Sequence, residues 1–98
     1  MGEGETIGWA IKQMQNGTKV RRAGWNGKGM WLILVPGTPN VALREGTPYH
    51  AALNDASAGQ SHVSINPHID MKTATGELQP GWLASQTDLL ATDWEIAD

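Results

Sequence analysis

The chain has 98 residues, with seven Lys and Arg against ten Asp and Glu and a net charge of −3. This length suits one domain that buries about two-thirds of its unfolded surface, and the absence of cysteine excludes a disulfide framework and thiol chemistry. The acidic balance argues against binding to a nucleic-acid polymer, because the basic residues cluster only over Lys19–Lys28 and a long polyanion calls for a longer stripe. No apolar run reaches membrane-spanning length, and the acidic, glycine-rich start lacks a signal-peptide pattern, so no membrane association and a cytoplasmic location are expected. Five tryptophans stand beside one tyrosine and no phenylalanine. Trp keeps an N–H that wants a partner and a face that can stack, so this usage hints at ligand or subunit contacts as well as core.

Residues 1–5 are polar and expected to fray. Ile7, Ala10, Ile11 and Met14 follow the i, i+3, i+4, i+7 spacing of one buried helical stripe. Thr6 can cap the start and Asn16-Gly17 can stop it, so a helix is predicted over Ile7–Gln15. Thr18–Ala23 reads as a strand, with Val20 on one face and Lys19 and Arg21 on the other. Gly24, Trp25, Asn26, Gly27, Lys28 and Gly29 follow. The glycines free the backbone for positive φ or for close approach to a ligand, and Asn26-Gly27 also suits a type I′ hairpin turn. Met30–Val35 is apolar on both faces. It predicts a strand covered on both sides, by the helix and a partner subunit or within a small barrel.

Thr38–Ser64 shows little periodicity and reads as a variable loop, a lid or an interaction arm. Its histidines, His50 and His62, have no ligand spacing, so no metal site is expected. Ile65–Thr73 resumes strand alternation. Thr75-Gly76-Glu77 forms a tight turn, and Leu78 starts a short return strand that ends at Pro80-Gly81. Ser85 followed by Asp88 resembles a capping box, predicting a short helix from Gln86 to about Ala91. Trp94 and Ile96 share a face of a final strand. The fold class is therefore α+β: an N-terminal helix packed on a small antiparallel β-sheet, with one short helix near the C-terminus. One domain spans 1–98, with the variable loop at about 38–64.

The chemistry offered is that of binding. No nucleophile–base pair, carboxylate dyad or phosphate-loop pattern stands in the sequence. Trp25, Trp31, Trp82 and Trp94 offer stacking faces, worth ~1–3 kcal/mol per base, though Trp94 suits the core better. Arg21, Arg22 and Lys72 can neutralise a pyrophosphate; plain solvated strand charges are the other reading. Asn26, Ser85, Gln86, Thr87 and Asp88 can read base edges or ribose hydroxyls, while Ser85 is better spent as a helix cap and service to the same helix terminus is the other reading of Asp88.

Three blocks in order resemble one family. They are Lys19-Val20-Arg21-Arg22-Ala23-Gly24-Trp25-Asn26-Gly27-Lys28-Gly29-Met30; Met71-Lys72-Thr73-Ala74-Thr75-Gly76; and Trp82–Ala91 with Asp93-Trp94-Glu95-Ile96. Together with the N-terminal helix they look like the Thoeris anti-defence 2 family of small phage and prophage proteins, over nearly the whole chain except Thr38–Ser64. The resemblance implies a molecular sponge and not an enzyme. A homo-oligomer, generally a tetramer with pockets between protomers, binds without cleaving the cyclic ADP-ribose-type (glycocyclic ADP-ribose) signal of a bacterial immune TIR protein. The Thoeris effector in the host cytoplasm then stays off. Some members also hold cyclic dinucleotides at a separate site. By matched motif the ligand region comprises Arg21, Arg22, Trp25, Asn26 and Gly27, then Met71, Lys72 and Thr73, then Trp82, Ser85, Gln86, Thr87 and Asp88; no cofactor is implied. The alanine- and glycine-rich middle and Trp9 in the helix depart from the pattern. The rival readings are a small enzyme that degrades the same signal and an interaction module with no small-molecule ligand.

Overall fold

The computed structural model of the chain describes residues 4–54 and 59–98. They form two compact units, one from the chain up to Val35 together with His68–Asp98, the other Pro36–Pro67.

The first unit begins with helix α1 (Ile7–Gln15). The Thr6 side chain accepts the Trp9 N–H at 3.4 Å, and Asn16 closes the last turn before Gly17 at φ 86°, so both boundaries sit where cap chemistry places them. Ala10 and Met14 are fully buried, but Ile11 is 39% exposed. At about 100° per residue, Ile11 lies about 100° round the helix from Ala10. The helix settles on its small residue, and Ile11 is left at the rim. The fraying expected at the start does not extend to Gly4 and Glu5. Glu5 bridges Trp94, whose N–H donates to the Glu5 carbonyl at 3.1 Å. Residues 1–3 lie outside the described residues.

A five-stranded antiparallel sheet carries α1. Its strands are β1 (Val20–Arg22), β2 (Trp31–Val35), β5 (His68–Lys72), β6 (Leu78–Gln79) and β7 (Trp94–Ile96), in the order β6-β5-β2-β1-β7. The sheet is open, with β6 and β7 at its edges, so a barrel is excluded. Val20 pairs with both Leu32 and Ile96, Leu32 with Met71, and Arg22 with Trp94. Residues paired across strands share a face. Val20, Leu32 and Trp94 therefore meet Ala10 and Met14 in one core, flanked by Trp9, Trp25, Met71 and Trp82. Burying each of the three large side chains contributes roughly 1.5–3 kcal/mol. The other face carries Arg21 with Glu95, Trp31 with Lys72, and Ile33 with Asp70. Short helix α3 (Gln86–Leu90) packs beside α1. It starts at a full capping box: Asp88 N–H donates to Ser85 Oγ, and Ser85 N–H donates to Asp88 Oδ2.

The second unit corrects the reading of Thr38–Ser64 as loop. It contains β3 (Thr38–Ala42), α2 (Pro48–Leu53) and β4 (His62–Ile65), with β3 and β4 antiparallel. The strands are irregular between Thr38 and Val41, where Asn40 takes φ 54°, a left-handed conformation that Asn tolerates. Thr47 caps α2 by accepting the His50 N–H at 3.3 Å, with Pro48 at the first helical position. The expected continuous strand Ile65–Thr73 is also two: β4 ends at Ile65 and β5 starts at His68, in a different sheet.

Candidate ligand-binding site

The connection between β1 and β2, Ala23–Met30, is not a type I′ turn. Neither Asn26 nor Gly27 has positive φ; Gly29 does, at 76°, and the I′ turn needs both central residues there. The other two glycines are required by close approach. A Cβ on Gly24 would lie 2.7 Å from Asp93 Oδ2, and one on Gly27 2.8 Å from the Ala74 Cβ. The broad loop so formed encloses, with Arg21 and Glu95, a hollow of about 340 Å³. Trp25, Asn26 and Lys28 line it. Asn26 and Lys28 are exposed and make no hydrogen bond among the described residues. Arg21 Nε donates to Glu95 Oε2 at 2.7 Å, a surface pair of small stabilising value.

Beneath the hollow lies a tighter network. Arg22 Nε donates to Asp93 Oδ1 and Arg22 Nη1 to Asp88 Oδ1, both at 2.8 Å. The Gly24 N–H donates to Asp93 Oδ2 at 2.7 Å, and Trp25 Nε1 to Asp88 Oδ1 at 3.1 Å. Hydrogen bonds to Asp93 and Asp88 push the Arg22 guanidinium above its ordinary value. Arg22, followed by the Gly24 amide, holds the Asp93 carboxyl below the usual range. For Asp88, burial pushes upward, but hydrogen bonds from Arg22, Trp25 and Ser85 outweigh it and leave the carboxyl lowered. The Trp25 ring stands edge-on to Trp94 at 5.5 Å, and Trp82 does the same from another side at 6.1 Å. Trp94 is the buried hub of this cluster, its Nε1 donating to the Asp88 carbonyl at 3.2 Å.

Arg21, Arg22, Trp25, Asn26 and Gly27 thus come together at one hollow, and Asp88 lies directly behind it. The remaining expected residues stand elsewhere in the protomer. Met71 packs toward the core. Lys72 does not line the hollow; it stands with Lys19 over the ring of Trp31, at 5.8 and 5.3 Å, on the sheet face away from the core, which also carries Arg21 and Glu95. Thr73 donates to Glu77 Oε1 at 2.9 Å in the turn before β6, where Thr75 also bonds Glu77. Trp82 is half-buried, and Gln86 and Thr87 are exposed on the first turn of α3. Sequence reading missed Asp93, which meets Arg22 only because β7 pairs with β1; that pairing is a long-range fact with no local signal.

A larger depression of about 530 Å³ is lined by Trp9, Trp94 and the chain near Gly4 and Thr92–Ile96. Glu5, Asp93 and Glu95 are its charged residues, so an anion is repelled there. Charge favours the smaller hollow for an anionic ligand. Among the described residues, no three His, Cys, Asp or Glu side chains group in a way that could hold a metal ion. No described helix is long and apolar enough to cross a membrane.

Fold and site define a small α+β protein with a tryptophan-walled, cationic hollow framed by a fastened glycine loop. A model of the Thoeris anti-defense 2-like domain matches residues 6–97. The Thoeris anti-defense 2 protein of Bacillus phage SP01 is 34% identical over 91 residues, covering 93% of this chain and 92% of that protein. The chain belongs to the Thoeris anti-defense 2-like family.

Proposed function

We propose that this protein is an anti-defence sponge. It binds and sequesters, without cleaving, the cyclic ADP-ribose-type signal of Thoeris defence in the host cytoplasm. The observation that carries this reading is the Ala23–Met30 hollow. One surface there presents an indole, a free carboxamide and the cations Arg21 and Lys28, the groups that recognise base, ribose and phosphate. Family membership supports the anti-defence role.

Sequestering a dilute signal at nanomolar level requires about −12 kcal/mol, more than one open hollow on a small protomer offers. The pocket is completed by a second protomer in a homo-oligomer, a tetramer. Leu83 at 90% exposure and Leu90 at 78% flank the Ser85–Asp88 turn, and large apolar side chains so exposed mark an association surface. Such an interface brings Ser85, Gln86, Thr87, Met71, Lys72, Thr73 and Trp82 of one subunit within reach of a ligand in the hollow of another. The test is to load the protein with glycocyclic ADP-ribose, cyclic ADP-ribose or cyclic dinucleotides, denature it by heat and assay what is released. Intact nucleotide supports sequestration; degraded nucleotide makes the protein an enzyme. A ligand at 100 times its Kd adds ~2.7 kcal/mol to stability, so no thermal shift with any of them leaves an interaction module.

A further inference from the structure

A loop with glycine at positions 24, 27 and 29 has an unusually large conformational freedom to lose. Packing alone does not fix it, since Ala23, Gly24, Asn26, Lys28 and Gly29 are exposed. Two carboxylates from the C-terminal part of the chain hold it instead. Asp93 takes the Gly24 amide on one oxygen and Arg22 Nε on the other. Asp88 takes Arg22 Nη1 and the Trp25 indole N–H on a single oxygen, its second oxygen accepting the Ser85 amide. Arg22 bridges both carboxylates, and its side chain and that of Asp88 are only 15% and 13% exposed, so water competes weakly for these bonds.

We propose that Asp93 and Asp88 are positioning residues. Acting through Arg22, they fix the Gly24 backbone and the Trp25 ring in the arrangement that forms the hollow, without touching the ligand. The guanidinium of Arg22 is spent on this clamp, which leaves Arg21 and Lys28 as the cations that meet an anion. The binding consequence rests on the sponge reading; the clamp itself does not.

The experiment uses full-length Asp93→Ala, Asp93→Asn and Asp88→Asn, with amide exchange and indole N–H resonances read by NMR and cyclic ADP-ribose and glycocyclic ADP-ribose as calorimetric probes. Losing a hydrogen bond to a charged group corresponds to about a tenfold to hundredfold change. In D93A the Gly24 amide should exchange faster by that factor and the Trp25 indole resonance should shift. Affinity for the probe should fall by a similar factor, while amides of β2 and β5 keep their protection. D93N retains an oxygen acceptor and should fall between; it and D88N give the same readout if D93A does not fold. Unchanged Gly24 exchange and Trp25 resonance overturn the proposal, as does a uniform loss of protection through β2 and β5. If neither probe binds the unaltered protein, the sponge reading fails while the exchange data still decide the clamp.

Discussion

Trp25 has two roles that substitutions can separate. Its indole N–H donates to Asp88 and its ring edge meets Trp94, while it also lines the hollow. Trp25→Phe keeps a stacking ring and loses the hydrogen bond to a carboxylate, so chemical denaturation should show a loss of about 1.5–3 kcal/mol, with ligand bound more weakly but not lost. Trp25→Ala removes the stack, worth ~1–3 kcal/mol, and calorimetry should show binding lost or weakened by that amount, with the oligomer intact by light scattering. A monomeric or unfolded Trp25→Ala variant would assign the ring to the fold alone. The charges beneath it predict an acid response. Asp88 and Asp93 have folded values below their ordinary ones, so as pH falls the unfolded chain takes up these protons first. Their contribution is fully present above the unfolded carboxylate value of about 3.9 and is lost as pH drops through the lowered folded values. Urea midpoints should therefore fall more steeply below about pH 4 than in Asp88→Asn/Asp93→Asn, where that part of the slope disappears.

At the level of elements, what the sequence showed and what it hid have physical reasons. Helices α1 and α3 were legible with their ends, because Thr6, Asn16-Gly17 and the Ser85–Asp88 box act within a few residues of themselves. Ser85→Ala should accordingly cost about 1 kcal/mol, read as a lower melting temperature. Residues 38–64 were not legible. Pro39 and Asn40 interrupt the alternation of β3, and β4 finds its partner across α2. The Asn26-Gly27 turn was misread because the dipeptide suits a tight hairpin, whereas the bonds from Gly24 to Asp93 and from Trp25 to Asp88 open the loop. The insertion of the second unit has a geometric consequence. Val35 and His68 are directly paired in the ladder, a spacing that a two-residue turn spans. Replacing Pro36–Pro67 with Asn-Gly should leave the five-stranded sheet folded, with amide protection in β2 and β5 retained; loss of that protection would make the second unit necessary to the first.

For the whole molecule, the sequence suggested a kind of site more readily than which residues meet in it. Residue types at Arg21–Gly27 suggested a ligand region and the structure gathers them at one hollow, but the face on which Lys72 stands and the burial of Arg22 between carboxylates are products of register. The expected residues divide between the Ala23–Met30 hollow, the sheet face that Arg21 shares with Trp31 and Lys72, and the Trp82–Asp88 segment; in the sponge proposal a second protomer would bring the last of these to the hollow. That makes a strong claim on one surface. Leu83 and Leu90, exposed at 90% and 78%, would each contribute roughly 1.5–3 kcal/mol on full burial against a second copy. Leu83→Glu/Leu90→Glu exchanges that gain for two carboxylates facing the same patch. The variant should run as a smaller species by light scattering and keep its far-UV spectrum, because neither side chain supports the core. If the pocket is shared, nucleotide binding should vanish with the oligomer even though Trp25, Asn26, Arg21 and Lys28 are untouched. Binding retained by a monomer would place the whole site within one protomer. An unchanged oligomer would move the interface to another surface, with the sheet face of Trp31, Ile33 and Lys72 the next to test.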